Sequence, residues 1–214
     1  MIKRIIFDLD NTLIDWEDNY WEDGIKFACK KLNINYNDKL KNDIINVIDN
    51  YEKTQEYFKI DIMQDLINKK LNSNYDTQFI KLILNYFEKC VPNKIDSKII
   101  ETLKYLQSKY ELVVLTNWFE YQQKQRLKNA NLYKYFKKVY GTETVKIKPN
   151  KEAFEIAKGN VLPNECVMIG DNFEIDIKGA INAGLEAIFY NRKNIDVSKK
   201  YKSIYKFEEL KEIL

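Results

Sequence analysis

The sequence predicts an α/β fold, a doubly wound parallel sheet with a helical block inserted after its first strand. Three observations carry that expectation. Residues 5–7, 112–115, 166–169 and 187–190 are short apolar runs bounded by polar residues, as strands buried on both faces of a parallel sheet are. Segments of helical periodicity separate the later runs, the alternation expected of βαβ units. Residues 15–89, by contrast, carry helical patterns only.

The first strand, around Ile5, Ile6 and Phe7, ends in Asp8 and Asp10, followed by Asn11 and Thr12. Two carboxylates at the exit of a buried strand are costly unless a cation or a partner meets them. Open parallel sheets bind ligands beyond the carboxyl ends of their strands. Magnesium, which takes one or two carboxylates together with phosphate oxygens, answers that need. An acidic turn in which Asn11 and Thr12 merely cap a helix is the alternative.

Four amphipathic stretches follow. Their apolar stripes run through Trp16, Tyr20, Phe27 and Leu32; through Leu40, Ile44, Val47, Ile48 and Tyr51; through Met63, Leu66, Ile67 and Leu71; and through Phe79, Leu82, Ile83, Tyr86 and Phe87. Such a series predicts a small antiparallel bundle. Its aromatic residues can line a pocket, but at helical spacing they read first as core. The expected division is therefore a sheet-bearing core of residues 1–15 and 91–214 with a helical insertion of residues 16–90.

Beyond Val91-Pro92, residues 99–106 predict a helix capped by Asp96 or Ser97. The strand at 112–115 ends in Thr116-Asn117 and is followed by a helix over 119–129, and a short strand falls within 135–140. Lys148-Pro149 precedes a helix over 151–158. The strand at 166–169 ends in Gly170-Asp171, and a helix over 175–183 stops at Gly184. The strand at 187–190, a further strand within 203–207 and a short terminal helix complete the chain.

Composition narrows the chemistry. The 214 residues hold 35 basic and 32 acidic side chains, a net charge of +3 spread along the chain. That balance predicts neither a nucleic-acid nor a membrane partner. Cys29, Cys90 and Cys166 are far apart and set among apolar residues, which predicts buried thiols in a reducing compartment. No stretch matches a signal peptide or a membrane span, so a cytoplasmic location is expected. There is no histidine. Ser-His and Cys-His nucleophile systems and His-ligated zinc are thereby excluded, and acid–base work falls to Asp, Glu, Lys, Tyr or Cys.

Three buried strands thus end in polar residues of particular types: Asp8 and Asp10, Thr116 and Asn117, and Asp171 with Asp176 behind it. Lys148 lies on the loop before the helix that leads into the third. Carboxylates for a metal, a hydroxyl and an amide for anionic oxygens, and one ammonium make an inventory for phosphoryl transfer. Singly, each has a plainer reading. Thr116-Asn117 can be a helix-start turn and Lys148 a solvated charge. Gly179, Ala180, Ala183 and Gly184 fit a helix packed closely on the sheet.

The ordered motifs FDLDNTL, LTN, KIKPNKEAF and MIGDNFEIDIKGAINAG strongly resemble the haloacid dehalogenase-like hydrolase superfamily, with the helical insertion as a cap. The resemblance implies an aspartyl nucleophile at Asp8 and a general acid–base at Asp10, whose backbone carbonyl would also ligate magnesium. It implies phosphoryl-oxygen contacts from Thr116 and Asn117, and charge neutralisation by Lys148. Lys146 is a nearby rival, but only Lys148 directly precedes proline. Asp171 would be a direct metal ligand and Asp176 a carboxylate orienting metal-bound water or Lys148. Dehalogenating members lack an acid at the position of Asp10, so the implied reaction is hydrolysis of a phosphate monoester. A phosphomutase, a sugar phosphatase or a non-catalytic phosphate- or metal-binding module are the alternatives. The run LTNWFEYQQ is similar to nucleotidase-like members, which implies a nucleoside monophosphate. Trp118 stands where those relatives commonly carry glycine, so it is expected to narrow the entrance or stack on a substrate ring. Trp16 and Tyr20 are the next specificity candidates, with packing as their plainer role. Oligomeric state stays open.

Overall fold

The computed structural model describes residues 1–75 and 78–214. Six parallel strands form one sheet: β1 (Arg4–Phe7), β2 (Glu111–Leu115), β3 (Lys138–Tyr140), β4 (Cys166–Gly170), β5 (Glu186–Tyr190) and β6 (Ser203–Ile204). Their spatial order is β3-β2-β1-β4-β5-β6. β1 is central, with Ile6 in register with Val113 on one side and Met168 on the other. The chain winds outward from β1 in one direction and then, from β4, in the other. The carboxyl ends of β1, β2 and β4 therefore meet where the winding reverses, the usual ligand position in such sheets.

Both faces of the sheet are covered because its strands, past a polar first residue in most of them, are apolar on both sides. Ile5 and Phe7 of β1 face the cluster containing Leu103 and Leu106 of α5 (Ser97–Gln107), Leu127 of α6 (Glu120–Asn129) and Leu210 of α9 (Leu210–Ile213). Ile6 faces the opposite cluster, with Ala153, Phe154 and Ala157 of α7 (Lys151–Lys158) and Ala180 of α8 (Gly179–Asn182). The period-two alternation of a strand thus divides two cores.

Residues between β1 and α5 form α1 (Tyr20–Leu32), α2 (Asp38–Thr54), α3 (Ile60–Leu71) and α4 (Gln78–Phe87). They share a third apolar cluster that also takes in Cys90, Trp118 and Phe119. The loop between α2 and α3 is tied to the loop before α7 by two backbone hydrogen bonds. Phe58 N–H donates to the Thr142 carbonyl at 2.9 Å and Ile147 N–H to the Glu56 carbonyl at 2.9 Å.

Two elements differ from expectation. The helix after β4 begins earlier, and its first six residues, Phe173–Lys178, take the wider π-helical turn before α8. Asn172 caps that turn by accepting from Glu174 N–H and Ile175 N–H at 3.2 and 3.0 Å. The wide turn brings Asp176 back under the strand end, where its Oδ2 accepts from Asn172 N–H at 3.1 Å. At the other end, Gly184 stops α8 with φ +86°. The final strand spans only Ser203–Ile204, because the chain turns into a 3₁₀ turn at Phe207–Glu209. Asp96 is the cap of α5, accepting from Lys98 N–H at 2.9 Å.

Candidate active site

At the end of β1 the backbone leaves the sheet at Asp8, whose N–H still donates to the Ile169 carbonyl at 2.9 Å. Its carboxylate accepts from Lys148 Nζ at 2.8 Å and from the Thr12 hydroxyl at 3.0 Å. Lys148 Nζ also donates to Asp176 Oδ1 at 2.6 Å. The lysine side chain is 2% exposed, and its ammonium bridges the two carboxylates. Burial opposes its charge, but Asp176 and Asp8 outweigh that and hold it above the ordinary lysine range.

The acids respond in the opposite sense. Burial pushes Asp8 up to about 7 against the pull of Lys148, and burial with the neighbouring Asp8 charge pushes Asp171 up to about 6. Asp8, Asp171 and Asp176 each offer a carboxylate oxygen within 4.8 Å of the others. One ammonium among three crowded carboxylates leaves negative charge unmatched, which suits a hard divalent cation with oxygen ligands. Asp176 already has both oxygens engaged by Lys148 and Asn172 N–H. Asp8 and Asp171 are therefore the carboxylates left to hold a divalent cation, because the Asp10 carboxylate is engaged elsewhere.

That carboxylate accepts from Gln123 Nε2 at 2.6 Å and pairs with Arg126 Nη1. Asp8, Asp10, Thr116, Asn117, Lys148 and Asp171 line one cleft of about 160 Å³. A second cavity of about 560 Å³ shares Asn117 and Lys148 and extends under the α2–α3 loop to Lys53, Gln55, Glu56 and Phe58.

Comparison with known proteins agrees with this geometry. Residues 2–184 match the family model for haloacid dehalogenase-like hydrolases. The chain belongs to the haloacid dehalogenase-like hydrolase family. It is 29% identical over 212 residues to the glyceraldehyde 3-phosphate phosphatase of Methanothermobacter thermautotrophicus, covering 89% of this chain and 86% of that one. It is 34% identical over 96 residues to the pyrimidine 5'-nucleotidase YjjG of Escherichia coli, covering 43% of each. Among solved structures, the magnesium-bound HAD-hydrolase YfnB of Bacillus subtilis superposes with a TM-score of 0.70 at 20% identity, covering 99% of this chain and 98% of that one.

In this haloacid dehalogenase-like chain the motif residues are gathered at one sheet edge, with two departures from expectation. The Asn117 side chain is not open to an anion. Its Oδ1 accepts from Lys148 N–H at 2.7 Å and its Nδ2 donates to the Lys148 carbonyl at 2.9 Å. It therefore clamps the Lys148 backbone, leaving its own N–H, which has no acceptor among the described residues, for a phosphoryl oxygen. Trp118 is not open to a substrate ring either. It is 8% exposed and packs edge-on against Trp21, Phe58 and Phe119 at 5.5, 5.4 and 5.3 Å. The first turn of α6 leaves the sheet directly under the helical block, so the indole fills the junction instead of the cleft.

Trp16 and Tyr20 also pack, edge-on to each other at 5.2 Å, with Trp16 against Phe87 at 5.0 Å. Lys146 lies outside the cluster, paired with Glu56 and Glu152 at 3.1 and 3.3 Å. Thr12, read from the sequence only as a cap, joins the site through Asp8. Two residues to which the sequence reading gave no role, Gln123 and Arg126, join it through Asp10. The signal for the last two was a glutamine and an arginine three residues apart, and so on one helix face. All three cysteines are free and buried. No helix among the described residues is long and apolar enough to cross a membrane.

Proposed function

We propose that this chain is a magnesium-dependent phosphate monoester hydrolase working through an aspartyl-phosphate on Asp8, with residues 16–90 as a cap over the site. The observation that carries the reading is the Lys148 ammonium held at 2.8 Å from Asp8 and 2.6 Å from Asp176. It draws the Asp8 carboxylate toward its ionised form against the opposing pull of burial, and it stands where an arriving phosphoryl group would be neutralised. The phosphatase and nucleotidase names of the relatives support the same class, and the free buried thiols support a cytoplasmic setting.

In the first step an Asp8 oxygen attacks phosphorus while the ester P–O bond breaks, and the departing oxygen takes a proton from Asp10. In the second, water gives a proton to Asp10 as its oxygen attacks phosphorus. Inorganic phosphate leaves and Asp8 is regenerated. Thr116 and the Asn117 N–H would hold the phosphoryl oxygens, and Asp176 keeps Lys148 in place. Magnesium, when bound by Asp8, Asp171 and the Asp10 carbonyl, supplies charge neutralisation at those oxygens.

The organic part of the ester would occupy the cavity under the α2–α3 loop. Lys53, Gln55 and Glu56 offer partners for hydroxyl groups there, and Phe58 is the one aromatic residue on that wall. This lining suits a sugar or polyol phosphate. A nucleoside monophosphate is the second reading, favoured by the 34% identity to the pyrimidine nucleotidase.

Phosphate release from a panel of sugar phosphates, nucleotides and small phospho-acids, with Mg²⁺, tests the assignment. Turnover abolished by Asp8→Asn and by EDTA is expected. Release from no ester would remove the hydrolase reading in favour of a mutase or binding module.

A further inference from the structure

Among the described residues, the side chain that heads the largest fully buried ones is a charged one, Arg126. A guanidinium in a protein interior needs partners that offset its desolvation, and its partners here come from separate parts of the chain. Nη1 pairs with Asp10 and donates to Gln123 Oε1 at 3.0 Å, while Nε donates to the Cys90 carbonyl at 3.0 Å. The guanidinium carbon lies 4.9 Å from the Trp16 ring centroid, within cation–π range.

Trp16 and Cys90 mark the two places where the chain passes between the sheet and the helical block. Trp16 is fixed to the turn of the first motif through its N–H, which donates to Asn11 Oδ1 at 3.0 Å. The same helix grips the second crossing again, where Asn129 Nδ2 donates to the Glu88 carbonyl at 2.7 Å. Gln123 completes the arrangement by donating to both Asp10 Oδ2 and Thr116 Oγ1, at 2.6 and 3.0 Å. One face of α6 thus holds the Asp10 carboxylate and both crossings together.

We infer that Arg126 is a positioning residue that sets where the Asp10 carboxylate stands for proton transfer, and that it ties this placement to the helical block through the Cys90 carbonyl and the Trp16 ring. The inference rests on the hydrolase reading. A guanidinium that merely filled the core would affect every substrate alike. One that places the acid affects the step in which the departing oxygen needs a proton. A 4-nitrophenolate leaves unprotonated, whereas an alkoxide from glycerol 2-phosphate does not, and kcat/KM reports only the steps through cleavage of the ester bond.

The experiment measures kcat/KM with Mg²⁺ for 4-nitrophenyl phosphate and glycerol 2-phosphate in the wild type, Arg126→Met, Arg126→Lys and Trp16→Leu. General acid catalysis contributes about 10²–10⁴-fold, so Arg126→Met is expected to lower the glycerol 2-phosphate value at least about tenfold more than the aryl value. Arg126→Lys should recover part of that ratio, and Trp16→Leu should shift it in the same direction by less. Should Arg126→Met fail to fold by circular dichroism, the ratios in Arg126→Lys and Trp16→Leu decide. Equal losses on both esters overturn the inference. Wild-type protein that hydrolyses neither ester removes the hydrolase reading and this inference with it, whereas wild-type turnover with unchanged ratios in the variants removes this inference alone.

Discussion

Gly170 and Asp176 meet through the space that a side chain would fill. A Cβ on Gly170 would stand 2.3 Å from Asp176 Oδ2 and 2.5 Å from its carboxyl carbon. The strand end is therefore bare so that the carboxylate gripping Lys148 can lie against it. Gly170→Ala is expected to drive Asp176 off Lys148, at an overpacking cost of about 1–3 kcal/mol. Displacing the ammonium from its geometry should lower kcat roughly 10²-fold. Urea denaturation and phosphate release with Mg²⁺ measure the two effects, and wild-type turnover in this variant would show that the clamp does not set the site.

Lys148 is the only cation within hydrogen-bond distance of Asp8 and Asp176 among the described residues. Lys148→Met leaves two buried carboxylates facing each other, and breaking a buried pair from one side costs about 3–5 kcal/mol. Folded stability should fall by that order, and turnover by ~10²-fold or more as the developing phosphoryl charge loses its counter-ion. Lys148→Arg should rescue little, since a planar fork cannot occupy the position of a compact ammonium between two carboxylates. A melt within a degree of the wild type would contradict the uncompensated-charge argument.

The sheet was legible because buried parallel strands write themselves as apolar runs, and the acids at their ends stand out against that background. Asp8 and Asp171 converge for the same reason, since parallel strands put their carboxyl ends on one edge, and Lys148 and Asp176 join them from the loop before α7 and the turn after β4. The reading failed where a side chain's direction decides its role. Asn117 and Trp118 follow the strand immediately, but one turns to the Lys148 backbone and the other into the aromatic junction. Arg126 carries no mark in the sequence, since an i, i+3 pair of polar residues gives no sign of burial without its tertiary neighbours. The π-helical turn at Phe173–Lys178 has no sequence period of its own, and the Asn172 N–H bond to Asp176 Oδ2 that accompanies it shows only in the fold.

Metal removal should expose the charge imbalance of the site. Asp8 and Asp171 titrate near 7 and 6 in the folded protein, above the ordinary value of 3.8. Acids raised in this way favour the folded state below the unfolded value, and that contribution is lost as pH rises through the folded values. In EDTA the Tm is therefore expected to fall between pH 5 and pH 8. Mg²⁺, which binds the ionised carboxylates, should raise the Tm more at pH 8 than at pH 5. Thermal melts at the two pH values with and without Mg²⁺ test this, and an equal shift at both would count against these carboxylates as the metal ligands.

Trp118 separates packing from specificity. Its indole is enclosed by Trp21, Phe58 and Phe119, and its Nε1 is buried without a hydrogen-bond partner among the described residues. Truncating a buried tryptophan to alanine costs about 3–5 kcal/mol through lost contacts and a residual cavity. Trp118→Ala should therefore lower stability by that amount and loosen the junction between α6 and the helical block. Trp118→Phe should cost much less, because it keeps an aromatic ring and deletes an unpaired donor. Neither change should reorder substrates, since the indole does not line the cavity under the α2–α3 loop. Urea denaturation of both variants, followed by the ester panel, checks each half. A reordered ranking in Trp118→Phe, at near-wild-type stability, would return this residue to the substrate side of the junction.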